Sequence, residues 1–216
     1  MRTRDLASRI LALGMLLAAA AAAPASAHPH AWIDLRSTVI LDAEGRVTAI
    51  EQEWLFDEFY TMFVVDGLAQ SELQQAAVLK ELTRGNLENL RDYDYFTEVR
   101  ADGRRIGLET VEEYESELRG PRLWMRFVVP LETPVEPASQ TLTFSVFDPT
   151  FYIEILHLEG DVVAFRGSGS AGCFGEIVPP NPSPETVTLA QALDREATPD
   201  DTLGSLFAER VEVTCR

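Results

Sequence analysis

The sequence runs to 216 residues, 46% of them hydrophobic, with 35 acidic residues against 18 basic ones and a formal charge of −17. That length and apolar share suit one large domain, or one domain with an appendage. The acidity excludes a nucleic-acid binder and a protein that docks on anionic lipid, since both need basic patches.

In chain order, the first nine residues, MRTRDLASR, carry three arginines and one acid, and Ile10 to Ala23 form an unbroken apolar run of fourteen. This run is shorter than the eighteen or so residues that cross a bilayer, and the small-residue triplet ASA follows it at positions 25–27. The pattern predicts a secretory signal peptide over residues 1–27, cleaved before His28. No cysteine follows the run and the arginines are not paired, so neither a lipoprotein anchor nor twin-arginine export is expected, nor any stable membrane anchor. Cleavage removes three basic residues and one acid, leaving 15 against 34 and a charge of −19.

From Ala31, AWIDLRSTVILDAEGRVTAIEQEWLF reads as two strands joined by a turn at Asp42 to Gly45. Asp57 is placed to cap a short helix that Gly67 ends. Ser71 and Gln74 form a capping box opening a longer helix to about Leu90, with Leu73, Ala76, Leu79, Leu87 and Leu90 on one stripe. YFTEVR, RRIGLE, VEEYESEL, LWMRFVVPL, TLTFSVFD, FYIEILHL and VVAFRG then read as closely spaced strands separated by Gly, Pro and Asp turns. A proline-rich link, VPPNPSPE, leads to short helices at TVTLAQALDRE and TLGSLFAE and to a last strand, RVEVTC. The expected fold is α+β: a mainly antiparallel sheet or sandwich over residues 28–178 with a two-helix insertion at about 57–90, and a tail over 179–216 packed on the same domain. Cys173 and Cys215, the two cysteines, are expected to pair in an oxidising compartment and pin that tail.

Two motifs lose their chemistry on inspection. GSGSAG, Gly167 to Gly172, matches the dinucleotide fingerprint letter for letter, but CFGEIVPPNP follows it and leaves no room for the helix that would receive a pyrophosphate. Glu113, Glu115 and Glu117 share one face of a strand, where carboxylates most simply keep a surface solvated.

The histidines are distinctive, because two of the three, His28 and His30, stand directly after the cleavage triplet. A free amine at His28 and its own imidazole can chelate one metal ion, and His30 adds a third nitrogen. Pro29 has no amide proton to lose, which blocks the square-planar amino-terminal mode that uses deprotonated backbone amides. Imidazole and amine coordination remains, suited to zinc, nickel, cobalt or copper. The two-residue strand period puts His28, His30, Trp32 and Asp34 on one side, making Asp34 a candidate further ligand. His157 shares its strand side with Phe151, Ile153 and Ile155, so it reads equally as a core histidine and as a ligand.

HPHAWIDL, EWLFDEFYTMFVVDGL, LENLRDYDYFTEVRADG, LTFSVFDPTFYI and LGSLFAERVEVTC together resemble the exported bacterial family catalogued as domain of unknown function 1007. The resemblance implies a periplasmic component of a metal-related transport system, with a membrane metal transporter as partner. This chain has DGLAQSE where many relatives have an acidic, glycine-containing loop, and Glu53 where some have a histidine before the tryptophan, so neither a calcium-like loop nor that extra ligand is carried over. The expectation is a periplasmic accessory protein that binds a divalent transition metal. A copper histidine-brace oxidase or oxygenase and a metal-free structural or interaction module remain as alternatives.

Overall fold

The computed structural model describes residues 29–66, 72–160, 162–192 and 203–216. His28, Gly67, the Ser71 cap and the side chains of Leu73 and Gln74 lie outside the described residues.

The first strand, β1 (Ala31–Leu41), alternates as the sequence does: Ala31, Ile33, Leu35, Ser37, Val39 and Leu41 are buried, while Trp32, Asp34 and Arg36 face outward. A turn held by Asp42, whose side chain accepts from the backbone N–H groups of Glu44 and Arg46, returns the chain as β2 (Val47–Phe56). Two helices follow, α1 (Glu58–Val65) and α2 (Glu72–Leu90). The remaining strands are β3 (Thr97–Ala101), β4 (Arg104–Ile106), β5 (Tyr114–Arg119), β6 (Arg122–Val135), β7 (Leu142–Val146), β8 (Ile153–His157), β9 (Val163–Arg166), β10 (Phe174–Val178) and β11 (Arg210–Thr214). A third helix, α3 (Pro184–Ala192), precedes β11. Among the described residues no helix is long and apolar enough to cross a membrane.

The strands form two sheets. One runs β5-β6-β2-β1-β8, with β9 also on β1; the other runs β10-β11-β7-β3-β4. The α+β, sheet-dominated fold expected from the alternation is what forms, and most pairings are antiparallel. The exception is the outer edge of β1, which pairs in parallel with β8 over Ala31–Leu35 and with β9 over Ser37–Ile40. The core between the sheets is apolar, centred on Trp54, Phe127, Phe144 and Leu142. One polar thread crosses it: the Trp54 indole donates to Gln52, whose amide donates to Thr97, whose hydroxyl donates to the Tyr95 carbonyl.

Local departures from expectation have local causes. The strand expected from Tyr95 begins at Thr97, because Asp94, Tyr95 and Phe96 take left-handed backbone angles (φ 51, 54 and 56). Ala76 is exposed, whereas Leu79 and Leu87 on the same stripe are buried. CFGEIV is a strand, β10, paired with β11 across Phe174–Val178. In TLGSLFAE the described residues, from Leu203 on, form a 3-10 turn at Gly204–Leu206 in place of the expected helix. GSGSAG is a loop laid against the β1–β2 turn: a side chain at Gly167 would meet the Leu41 carbonyl oxygen at 1.9 Å, and one at Gly169 would meet Gly45 at 2.5 Å. Glu113 and Glu115 pair with Arg126 on the exposed side, and Glu117 with Arg119.

Cys173 and Cys215 are disulfide-bonded, with Cα atoms 4.0 Å apart. The bond is that of a chain that meets an oxidising compartment, which suggests an extracellular or periplasmic location.

Candidate functional site

The candidate site is the start of β1. His30 is fixed there by its backbone N–H, which donates to the Tyr152 carbonyl at 2.8 Å, and its ring lies on Tyr152 with centroids 4.6 Å apart. This contact sets the β1–β8 register that continues as Ala31 with Ile153 and Trp32 with Glu154.

Two residues on, Trp32 is bound to the cap of α1. Its N–H donates to Asp57 Oδ2 at 3.0 Å, and the Asp57 N–H returns to the Trp32 carbonyl at 2.9 Å. Asp57 Oδ1 meanwhile accepts from the Tyr60 N–H at 2.9 Å, the expected N-cap. One carboxylate thus ties the helix start to β1. Glu154, the register partner of Trp32 on β8, is a partly buried carboxylate whose pKa is raised because burial penalises its charge more than the neighbouring Trp32 side chain relieves it.

Asp34 shares the outward face of β1 with His30, but four residues of strand put it about 13 Å along, with Trp32 between. Its carboxylate is engaged with Arg122 at 2.7 Å. Arg122 is anchored in turn by the carbonyls of Phe56 (2.6 Å) and Leu55 (2.8 Å). Asp34 and His30 are therefore not brought to one point.

His157 lies on the opposite side of the sheet. Its register partner is Leu35, which faces the core, and five residues of β8 separate it from Tyr152, about 16 Å. Glu209 Oε2 takes both its Nδ1–H and its backbone N–H at 2.8 Å, so in the neutral ring Nε2 accepts from the Ser37 hydroxyl at 3.0 Å. Serine, histidine and carboxylate stand in the order of a nucleophilic relay. Ser37, however, is 1% exposed between Leu35 and Val39, and a nucleophile sealed in a core meets no substrate. The trio fastens β1, β8 and the approach to β11. The His157 side chain is thus buried and hydrogen-bonded at both ring nitrogens, and the structure does not bring it to His30.

Sequence reasoning did not single out Glu154, Glu209 or Arg122, since each gains its role from strand register or from a distant loop. It did not single out the outer face of α1 either. Phe59, Met62 and Phe63 fall at helical spacing, but an apolar stripe carries no label for inward or outward, and here Tyr60, Thr61 and Val64 face the sheet instead. A cleft of 390 Å³ opens between α1 and β1, lined by Trp32, Asp34, Asp57, Glu58, Phe59 and Arg122. Among the described residues no group of three or more His, Cys, Asp or Glu is gathered to hold a metal ion. Of the nitrogen donors expected from the sequence, the His30 imidazole stands at this edge of the sheet, and His28 lies outside the described residues.

Comparison with known proteins gives a family without an assigned chemistry. A family model described as "Protein of unknown function (DUF1007)" matches residues 13–215. An "Uncharacterized protein" of Haemophilus influenzae is 26% identical over 191 residues, 88% of this chain and 91% of that one. An "Uncharacterized 15.5 kDa protein in trpE 3'region" of Spirochaeta aurantia is 27% identical over 96 residues, 43% of this chain and 68% of its own length. No solved structure matches.

Proposed function

Because the chain belongs to the DUF1007 family, whose description names no chemistry, we propose a function from its own residues: a periplasmic accessory protein that binds one divalent transition metal for a membrane metal transporter. In this reading residues 1–27 are a signal peptide, and the ion is held by the His28 amine and imidazole together with the His30 imidazole. The observation that supports it is the ASA-HPH junction, where two of the three histidines follow the small-residue triplet and one of them, His30, has its backbone held at the lip of the sheet by the Tyr152 carbonyl. Zinc, nickel, cobalt and copper all accept such nitrogen donors. Asp34 and His157 are not part of the set, because one is ion-paired farther along the strand and the other faces the core. The oxidase alternative would use His157 as its second imidazole and loses support for the same reason.

The test is metal titration of protein with a native start. Protein beginning at His28, by mass spectrometry, should bind one equivalent of zinc, nickel or copper, and His28→Ala/His30→Ala should abolish it. The amine and both imidazoles must be deprotonated, so affinity should fall as pH drops through the reference values of about 7.7–8.0 for the amine and about 6.5 for imidazole. Equal affinity in a protein carrying extra residues before His28 would overturn the mechanism, since an acylated amine has no lone pair to give.

A further inference from the structure

Phe59, Met62 and Phe63 stand on the outer side of α1, 82%, 65% and 83% exposed. At spacings of three and four residues they form one ridge. Two nearly bare phenylalanines and a methionine present on the order of 400 Å² of apolar surface, and Trp32, 45% exposed, extends it across the cleft. Contiguous apolar patches of that size are often functional surfaces. The ridge is also preorganised: Asp57 bolts the helix start to Trp32, and the Thr61 hydroxyl donates to the Asp57 carbonyl while accepting the Leu123 N–H at 2.9 Å. A partner therefore meets a fixed surface and loses little entropy in ordering it.

The rim decides what the partner is. Glu58 and Asp66 flank the ridge at its two ends, and Asp57 and Asp34 line the cleft. Among the described residues that line the cleft the one cation is Arg122, which already holds the Asp34 carboxylate and two carbonyls. A second copy on a two-fold axis would bring the same acidic rim against itself, between molecules each at −17. An anionic bilayer would repel it likewise.

We propose that α1 is a docking helix for a protein partner that presents an apolar pocket bordered by lysine or arginine, with Phe59, Met62 and Phe63 as the anchors. The seat adjoins His30 through Trp32, so a docked partner lies beside the metal donors, but docking itself owes nothing to the ion.

The experiment places a photoreactive benzophenone side chain at Met62 of the full chain, expressed and exported in its own cells, with the same group at Phe174 of β10 as control. The expected result is one discrete protein adduct from position 62 and none from position 174. The partner peptide should map to an apolar surface flanked by basic residues. Phe59→Glu should reduce the adduct by about tenfold or more, with an unchanged melting temperature, because the side chain is exposed. The adduct should persist in His28→Ala/His30→Ala, which separates this outcome from failure of the metal reading. An adduct of the chain with itself, a lipid adduct, no adduct, an acidic partner surface, insensitivity to Phe59→Glu, or loss in the histidine variant would each overturn the proposal.

Discussion

Two side chains carry sharp expectations of their own. Glu154 titrates with a raised pKa because it is partly buried. A raised folded-state value means that the fold favours the protonated acid, so the contribution is present at low pH and is lost as pH rises through the folded pKa. Glu154→Gln keeps the size and shape of the side chain beside Trp32 and removes the charge. It should raise the melting temperature of metal-free protein at pH 7, with a gain that fades as pH falls through the carboxylate range, checked by thermal unfolding across pH. His157→Ala should behave differently, leaving the Glu209 carboxylate with one donor fewer and the Ser37 hydroxyl unpaired in the core. The expected cost is about 2–4 kcal/mol by denaturant unfolding, with zinc affinity unchanged. The two readings of His157 were both open in the sequence because alternation gives the side of a strand, whereas Glu209, 52 residues away, decides what the ring does there.

Secondary elements were legible where their periodicity was local. The eleven-residue alternation of β1 and the Asp57 cap are written in neighbouring residues, and both form as expected. β10 was hidden because glycines precede it and prolines follow, and its pairing partner β11 lies across the tail. The candidate site was legible to the extent of His30 and its outward face; the separation of Asp34 followed from strand rise, and the apolar ridge of α1 needed the packing of Thr61 to show which way it turns. The polar thread from β2 to β3 belongs to this scale too, since Gln52 accepts from Trp54 and donates to Thr97 across the two sheets. Gln52→Leu should strand the Trp54 indole N–H in an apolar core at a cost of roughly 2–3 kcal/mol, measured by chemical unfolding.

For the molecule as a whole, the disulfide closes a separation of 42 residues, from the start of β10 to the end of β11. In the chain-entropy model its loss costs roughly 4 kcal/mol. Because β11 sits between β10 and β7 rather than on a loose tail, reduction should raise amide exchange in β10 and β11 first, while β2 and β6 stay protected. The double pairing on the outer edge of β1 has a further bearing, on time. The strand that is made first is closed on one side by β2 within sixteen residues, but its other side waits for β8 and β9, which end at Arg166. Contacts of such long sequence separation form slowly, and an open strand edge pairs with whatever meets it. Until Arg166 is made the nascent chain therefore carries that seam unstitched, and a holding chaperone should bind it between residues 31 and 41 and release it once residue 166 has emerged, which crosslinking of stalled nascent chains of increasing length would read.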